Sequence, residues 1–257
     1  MENILEFKVW EKDGSSSTTA VNVKKLCLAR NCARDIQGAR ASLDKKRAEG
    51  YAVHGNPNIC RKSRCLVTNE HVIEVQGPQT SGEVEIVAII DKGEVLISVG
   101  SDHNDRSLGT MWTDALGKVY DSAKSKQMVP AVVAREAWRY EHVRDHWDEL
   151  NLKSYVTASD VKIPYQDFKL RDLVDLEYHF RSEPGLKDNG VILFGGSAGA
   201  LATVPPSVYQ FQSSLESFHD LIFPPDFHVE VRDPVLNRTI NTSYRIMSIE
   251  EAGSFSL

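Results

Sequence analysis

The stretch SGEVEIVAIIDKGEVLISVGSDHNDR, residues 81–106, decides the fold. Two largely apolar runs, Glu83–Ile90 and Glu94–Val99, flank the turn sequence Asp91-Lys92-Gly93, and this arrangement is typical of a tight β-hairpin. The first run is apolar at nearly every position after Glu85, which predicts a strand buried on both faces. The sequence therefore places a buried hairpin in the middle of the chain.

Three acidic residues of this hairpin are candidate metal ligands. Glu83 and Glu85 lie two positions apart on a strand, so their side chains point to the same face. Unpaired buried carboxylates are costly and need a cation or a proton. Pairing across the turn brings Asp102 close to Glu83, and three oxygen ligands on two rigid strands suit Mg²⁺ or Mn²⁺. Ion pairing with Arg106 would also satisfy these carboxylates.

Outside the hairpin, strands outnumber helices. The runs that predict strands are Leu5–Trp10, Val21–Leu28, Leu152–Thr157, Val191–Phe194, Phe227–Arg232 and Ser243–Ile249. The runs that predict helices are Ala33–Glu49, Arg135–Leu150 and Leu170–Phe180. We expect an α+β or mainly-β core, divided into an N-terminal hairpin and helix module (residues 1–76) and a β-rich core (77–257), or else one integrated domain.

Composition and charge narrow the class of protein. The chain has 257 residues, 41% of them apolar and 26% charged, with a net charge of −6, which is ordinary for a soluble globular protein. No apolar run is long enough to cross a bilayer and no secretory signal is visible, so we expect a cytoplasmic protein. Segment 24–64 has eleven Lys or Arg against three Asp or Glu. It has almost no aromatic residues, so we expect a solvated helix face or a pocket for a small anion, not nucleic-acid binding.

Three other motifs allow competing interpretations. Gly195-Gly196-Ser197-Ala198-Gly199 matches the G-x-S-x-G pattern of serine hydrolases, but the run before Pro205 is too short for the helix that this motif requires. We favour a glycine-rich loop whose backbone N–H groups meet a carboxylate. The two C-x4-C pairs could form a zinc site, and His142 with His146 could bind a transition metal, although ordinary structural roles are favoured for both.

The order of these motifs resembles the fumarylacetoacetate hydrolase-like superfamily. The resemblance rests on Glu83-Val84-Glu85, on the segment Ser101–Arg106 and on Lys126, and it extends upstream to the run Asn31–Asp35. Together with Lys126-Gln127 and His146-Trp147-Asp148, these runs resemble an uncharacterised branch of that superfamily, over roughly residues 20–200. The resemblance implies a mainly-β, mixed-sheet roll with a few flanking helices. It also implies a homodimer in which Glu83, Glu85 and Asp102 hold Mg²⁺ or Mn²⁺.

The resemblance also implies roles for other residues. Lys126 is the expected stabiliser of negatively charged substrate oxygens. Arg34, Arg106 and His103 are candidates to bind the substrate carboxylate, and Gly196 and Ser197 belong to a loop expected to line the substrate pocket. The chain departs from the family pattern where a His-x-x-Glu pair activates water, near Asp35 and Gly38. Asp35 is therefore only a candidate for proton transfer.

The resulting hypothesis is a metal-dependent hydrolase or lyase that acts on a small oxo- or dicarbonyl carboxylic acid. Hydrolysis of a C–C bond is favoured, with decarboxylation, hydration or amide hydrolysis at the same site as alternatives. We expect a small anionic substrate, no nucleic acid and no membrane as partners. In a rival hypothesis the protein is not catalytic: Glu83 and Glu85 pair with the basic segment 24–64, whose surface binds an acidic partner.

Overall fold

A computed structural model describes residues 2–48, 58–106, 111–113, 117–119, 122–158, 160–201, 203–204 and 223–249. The strands in this part of the chain are β1 (Ile4–Trp10), β2 (Ser16–Asn22), β3 (Lys25–Arg30), β4 (Asn58–Lys62), β5 (Val67–Thr68), β6 (Val72–Val75), β7 (Thr80–Ser81), β8 (Val84–Asp91), β9 (Glu94–Asp102), β10 (Asn104–Asp105), β11 (Met111–Thr113), β12 (Gly117–Val119), β13 (Ala131–Val133), β14 (Glu136–Arg139), β15 (Asn151–Ala158), β16 (Val161–Lys169), β17 (Val191–Phe194), β18 (Asp226–Asp233) and β19 (Arg238–Ser248). The α-helices are α1 (Ile36–Ala48), α2 (Ser122–Gln127) and α3 (Leu176–Ser182), and short 3-10 helices cover Arg64–Leu66, Tyr140–His142, Arg144–Glu149, Leu170–Asp172 and Pro184–Lys187.

The predicted central hairpin is confirmed. Strands β8 and β9 are antiparallel, with Asp91 paired to Glu94 on either side of a tight turn. Both turn residues have positive φ, 50° at Lys92 and 80° at Gly93, as a turn that follows the twist of the strands requires. All residues of β8 before Asp91 are buried, which agrees with the predicted two-sided burial.

The strands form two large mixed sheets. The larger sheet has the order β2-β1-β14-β9-β8-β17-β3-β4, with β13 beside β9 and β5 beside β13, while the smaller has the order β16-β15-β18-β19-β6. The predicted class, mainly β with few helices, is therefore confirmed. Strands from both sides of residue 76 share the larger sheet, and the division at that residue stays a prediction.

Apolar side chains cover both faces of the larger sheet. From β8, Val84, Ile86, Ala88 and Ile90 enter a core shared with the smaller sheet. The alternate residues Val87 and Ile89 enter a second core, built almost entirely from strands of the larger sheet, which therefore curls upon itself. Burying each of these valine and isoleucine side chains stabilises the fold by about 1.5–3 kcal/mol. These two cores hold the hairpin, and with it the candidate ligands, in a fixed position.

One predicted helix, Arg135–Leu150, is wrong. Residues Glu136–Arg139 form β14, in which Trp138 pairs with Trp10 on one side and Ile97 on the other. Two 3-10 helices follow in place of an α-helix. Strand pairing within the sheet thus overrides the helical spacing of Val143, Trp147 and Leu150.

Other predictions differ from the structure mainly at their boundaries. The predicted strand Val21–Leu28 is divided between β2 and β3. The helix predicted over Ala33–Glu49 corresponds to α1, and Glu49 lies outside the described residues. The edge strand β16 was not predicted. It contains Pro164, which a strand tolerates at a sheet edge, and its pairing with β15 is irregular there. Among the described residues no helix is both long and apolar enough to cross a membrane.

Candidate functional site

The end of the β8–β9 hairpin brings the predicted acidic ligands together. Val84 pairs with Ser101, so Glu83 and Asp102 occupy the next positions on the two sides of the hairpin, and Glu85 lies opposite Gly100. A Cβ atom at Gly100 would stand 2.3 Å from the carbonyl oxygen of Val132. Glycine therefore allows β13 to pair closely with β9 beside the acidic residues.

Lys126, at the end of α2, supplies the central cation of this group. Its ammonium group forms an ion pair with Asp102 Oδ2 and lies 3.8 Å from Glu83 Oε2. Burial lowers the pKa of Lys126, but the charges of Asp102, Glu83 and Glu85 outweigh burial and raise the pKa above its ordinary value. Lys126 therefore stays charged, and it lies among the carboxylates that the sequence assigned to a metal ion.

Glu85 is the most isolated of the three carboxylates. It is 2% exposed, and its Oε2 atom accepts a hydrogen bond from the backbone N–H of Gly196 at 3.0 Å. Burial and the neighbouring charge of Asp102 raise the pKa of Glu85 well above its ordinary value. In the absence of a further cation, this side chain therefore tends to keep its proton.

The glycine-rich loop that meets Glu85 requires its glycine. Gly196 has a φ of 102°, and a Cβ atom there would lie 2.7 Å from the Cβ atom of Cys32. No helix follows the loop within residues 195–201, so the arrangement typical of a serine hydrolase is not formed there. The amide of Gln166 donates to Ser197 Oγ at 2.8 Å and to the carbonyl of Ala198 at 2.6 Å, which fixes the loop.

Glu83 is paired with the guanidinium group of Arg106. The Nη2 atom of Arg106 lies 2.8 Å from Glu83 Oε1, and its Nε atom donates to Ser81 Oγ at 2.6 Å. Burial raises the pKa of Glu83, but Lys126 and Arg106 outweigh it and hold the pKa below its ordinary value. Glu83 is therefore an ionised carboxylate, as a metal ligand must be.

A second lysine, Lys62, was missed by the sequence analysis. It ends β4, its side chain is completely buried, and its Nζ atom lies 3.7 Å from Asp102 Oδ1. Burial lowers the pKa of Lys62 to about 8, and the charge of Asp102 opposes this shift. In the described part of the chain, neither Lys62 Nζ nor Asp102 Oδ1 has a hydrogen-bond partner. The only sequence signal was the basic character of segment 24–64, which was interpreted as a solvated helix face or a pocket for a small anion.

His103 belongs to a buried hydrogen-bond network at the same end of β9. Tyr244 on β19 donates to Ser101 Oγ at 2.7 Å, and His103 Nδ1 lies 3.0 Å from the Tyr244 hydroxyl. Ser101 Oγ also accepts from the backbone N–H of Glu83 at 3.3 Å. Burial, together with Lys62, Arg106 and Lys126, lowers the pKa of His103 well below its ordinary value. A neutral His103 is better suited to hydrogen bonding than to pairing with a substrate carboxylate.

Two other predicted site residues, Arg34 and Asp35, immediately precede α1, and both have hydrogen-bond partners within the protein. Arg34 forms two hydrogen bonds of 2.8 Å with the Asp148 carboxylate and donates to the Leu173 carbonyl at 2.8 Å. Asp35 is exposed, and its Oδ1 atom accepts from the backbone N–H of Gly38 at 2.9 Å, which satisfies a donor of the first helical turn. The roles of both residues toward substrate remain predictions.

The competing motifs also have positions in the fold. His146 Nε2 lies 3.0 Å from Asp233 Oδ1, whereas His142 Nε2 lies 3.6 Å from Glu11 Oε2. All four cysteines are free, with Cys27 and Cys32 buried, Cys60 half-buried and Cys65 exposed. Burial raises the pKa of Cys27 to about 11, so its thiol is not poised to act as a metal-binding thiolate.

The chemistry of the acidic group fits a hard divalent cation. Glu83, Glu85 and Asp102 offer the oxygen ligands that Mg²⁺ and Mn²⁺ prefer, and the buried Oδ1 atom of Asp102 has no hydrogen-bond partner among the described residues. As folded, the described residues contain no set of three His, Cys, Asp or Glu side chains spaced to hold an ion. Because Lys126 occupies the space between the carboxylates, a bound ion requires this side chain to move away from Asp102.

Comparison with known proteins places the chain in a wider context. The family model described as "Protein of unknown function (DUF2848)" matches residues 54–244. No curated protein matches the sequence.

Among solved structures, the fumarylpyruvate hydrolase from Pseudomonas aeruginosa, in complex with Mn²⁺ and pyruvate, is 15% identical with a TM-score of 0.50, over 94% of this chain and 95% of that chain. A 2-keto-3-deoxy-D-arabinonate dehydratase, complexed with magnesium and 2,5-dioxopentanoate, is 14% identical with a TM-score of 0.53, over 90% of this chain and 77% of that chain. The yeast protein ynq8, described as a fumarylacetoacetate hydrolase family protein, is 12% identical with a TM-score of 0.50, over 88% of this chain and 93% of that chain. These likenesses confirm the predicted fold of the fumarylacetoacetate hydrolase type.

Proposed function

Because the chain belongs to the family described as protein of unknown function DUF2848, whose description names no reaction, we propose a function from the site itself. We infer that the protein is a divalent-metal-dependent enzyme that acts on a small oxo- or dicarbonyl carboxylic acid. Within this class we favour hydrolysis of a C–C bond. Decarboxylation, hydration and amide hydrolysis at the same site are the alternatives.

The observation that carries the proposal is the convergence of Glu83, Glu85 and Asp102 with Lys126 and Arg106 at the end of the hairpin. Oxygen ligands of this kind are typical of Mg²⁺ and Mn²⁺ sites. Two solved structures of the same fold provide further support, since one is described with Mn²⁺ and pyruvate and the other with magnesium and a dioxo acid.

In the proposed enzyme, Glu83, Glu85 and Asp102 would hold the ion. When bound, a divalent ion supplies a Lewis acid that polarises the carbonyl oxygens of the substrate. Lys126, once it has moved away from Asp102, would supply a positive charge that stabilises the negative charge developing on those oxygens. Arg106 holds Glu83, and the Gly196 N–H orients Glu85 for binding. Asp35 is the candidate for the proton-transfer group.

Titration calorimetry with Mn²⁺ tests the proposal. We expect Glu83→Ala and Glu85→Ala to weaken Mn²⁺ binding by about 100-fold or more, because removing one charged ligand costs several kcal/mol. Glu94→Ala, at the turn of the same hairpin, is the matched control and should bind normally. Circular dichroism establishes that each variant is folded. Equal Mn²⁺ affinity in all four proteins would exclude the metal site and favour the non-catalytic hypothesis.

Product analysis then separates the reactions. The Mn²⁺-loaded protein is incubated with a panel of 2-oxo and dicarbonyl acids, and products are identified by mass spectrometry. Two smaller carbon-containing products that together gain one water indicate C–C hydrolysis. Release of carbon dioxide indicates decarboxylation. A change in mass by one water without cleavage indicates hydration or dehydration. We also propose a cytoplasmic homodimer, and sedimentation velocity measures the oligomeric state directly.

A further inference from the structure

Gln166 is a buried amide side chain whose hydrogen-bonding positions are all used. It lies on β16 and is 2% exposed. Its Oε1 atom accepts from the backbone N–H of Val84 and from Ser154 Oγ, both at 2.8 Å. Its Nε2 atom donates to Ser197 Oγ at 2.8 Å and to the Ala198 carbonyl at 2.6 Å. Because a glutamine amide has two donor hydrogens and one oxygen with two lone pairs, these contacts fix its orientation.

An irregularity of β16 turns the Gln166 side chain inward. Gln166 lies opposite Ser154 on β15. Pro164 lies opposite the next residue of β15, so Tyr165 is an extra residue, which makes a β-bulge. As a result, Tyr165 and Gln166 are both buried, whereas successive residues of a regular strand point to opposite faces. Bulges that redirect a side chain in this way are frequent beside functional sites.

The strand contact of Gln166 lies between two of the proposed metal ligands. Val84 separates Glu83 from Glu85 at the start of β8. Strand β17, which pairs with β8 further along, ends before it reaches Val84. The amide oxygen of Gln166 therefore takes the place of a neighbouring strand for the N–H of Val84.

The loop contacts of Gln166 hold the group that donates to Glu85. Ser197 and Ala198 directly follow Gly196, whose N–H donates to Glu85 Oε2 at 3.0 Å. One amide group thus holds both the strand that carries Glu85 and the loop that bonds to it. A carboxylate whose surroundings are fixed in this way loses little further freedom when it binds an ion.

We propose that Gln166 is a positioning residue for the metal site of Glu83, Glu85 and Asp102, and that it acts on Glu85 through the Val84 N–H and the glycine-rich loop. This inference rests on the proposed function, because it concerns the same ion. Gln166 is not itself a ligand, since its amide is already fully hydrogen-bonded. The affinity of the site for a metal then depends on a strand of the smaller sheet, although its ligands belong to the central hairpin of the larger one.

Titration calorimetry with Mn²⁺ on the full chain tests the inference. Gln166→Met removes all four hydrogen bonds and keeps an unbranched side chain, so Mn²⁺ affinity should fall by about 10-fold to 100-fold. Gln166→Glu is the conservative variant. It keeps an oxygen that accepts from Val84 but loses the amide donors to the loop, so the affinity should fall by only about threefold to tenfold.

Asn151→Ala is the matched control. The Asn151 amide also links β15 to β16, since it donates to Asp167 Oδ1 at 2.9 Å and to the Phe168 carbonyl at 3.1 Å. It contacts no residue of the proposed metal site, so its loss should lower the free energy of unfolding and leave Mn²⁺ affinity unchanged. A purely structural role for Gln166 would give the same result as this control.

The Mn²⁺ affinities of the folded variants decide the question. A folded Gln166→Met whose affinity lies within threefold of the wild type overturns the inference. Should Gln166→Met lose its cooperative thermal transition, the same limit applied to Gln166→Glu decides instead.

Failure of this inference is distinguishable from failure of the proposed function. A wild-type protein that binds no Mn²⁺ contradicts both. A wild-type protein whose Mn²⁺ binding requires Glu83 and Glu85, beside a folded Gln166→Met that binds Mn²⁺ equally well, contradicts only the role of Gln166.

Discussion

Two aspartates, Asp102 at the end of β9 and Asp233 at the end of β18, are equally buried but have very different surroundings. Both are 0% exposed. Asp233 Oδ1 accepts from the N–H groups of Val235 and Leu236 at 3.1 Å, with His146 at 3.0 Å, and its Oδ2 accepts from Arg238 at 3.1 Å. Asp102, in contrast, has Lys126 on one oxygen and no hydrogen-bond partner for the other among the described residues.

The difference separates a structural carboxylate from a functional one. Three of the four donors to Asp233 follow it within five residues, so the hairpin turn satisfies the carboxylate as it forms. The cations near Asp102 come from β4 and α2, which are distant in sequence, and they leave donor and acceptor capacity unused. Full satisfaction serves stability, whereas unused capacity at a buried charged site favours ligand binding.

The largest expected effect on stability comes from removing the structural carboxylate, Asp233. Asp233→Ala should lower the free energy of unfolding by about 3–5 kcal/mol, because Arg238 and His146 lose their buried partner. Urea denaturation at pH 7 measures the change. Mn²⁺ affinity should be unaffected, since Asp233 is not part of the proposed site.

Asp226→Ala provides the matched control for that variant. Asp226 begins the same strand and pairs with Arg245, but its side chain is 39% exposed. Its loss should cost about 0.2–1 kcal/mol, as exposed ion pairs do. A loss at Asp233 no larger than at Asp226 would contradict a structural role for the buried carboxylate.

The next effect concerns the loop that bonds to Glu85. Gly196→Ala places a methyl group 2.7 Å from Cys32 at a φ of 102°, and we expect a loss of about 2 kcal/mol in unfolding free energy. Mn²⁺ binding should weaken as well, because the N–H that orients Glu85 shifts. Gly199→Ala is the control, since a Cβ there meets no atom within 4 Å. Equal stability of the two variants would show that the loop tolerates a side chain at Gly196.

The acidic half of the candidate site could be predicted from the sequence because its three residues lie close together along the chain. Glu83, Glu85 and Asp102 lie on one hairpin, and strand period and turn length fix their relative positions. Lys62 and Tyr244 could not be found in this way. Their contacts with Asp102 and Ser101 span 40 residues or more and depend on how β4 and β19 pack in the folded chain. The helix predicted over Arg135–Leu150 failed for the same reason, since pairing with distant strands decides its structure.

A smaller effect sharpens the comparison through pH. Glu85 has a pKa above its ordinary 4.5, so its ionisation favours the unfolded chain as pH rises beyond 4.5. Glu85→Gln should therefore gain stability over the wild type above that pH, by up to about 1.4 kcal/mol for each pH unit until the folded carboxyl ionises.

The pH dependence of stability that comes from Asp233 has the opposite sign. Burial alone would raise its pKa, but its hydrogen bonds hold the pKa below the ordinary 3.8. Its stabilisation is complete above pH 3.8 and is lost as pH falls through the lower folded pKa. Urea denaturation from pH 3 to 8 on wild type, Glu85→Gln and Asp233→Asn measures both trends. Parallel profiles for the two variants would contradict the distinction between the two carboxylates.

The smallest effect concerns Arg34, which the sequence predicts to bind the substrate. Its hydrogen-bonding environment resembles that of Asp233 more than that of Asp102. Its guanidinium group is bound by Asp148 and two backbone carbonyls, yet the Arg34 and Asp148 side chains are 40% and 51% exposed. Arg34→Gln should lower stability by about 1 kcal/mol, and Asp148→Asn should lose a similar amount through the shared ion pair. The affinity of the Mn²⁺-loaded protein for oxalate, whose adjacent oxygens resemble those of a 2-oxo acid, should be unchanged in both variants, because Arg34 has its bonds satisfied within the protein. Loss of oxalate binding in Arg34→Gln alone would support a substrate-binding role for Arg34. It would also show that satisfied hydrogen bonds do not exclude a functional role.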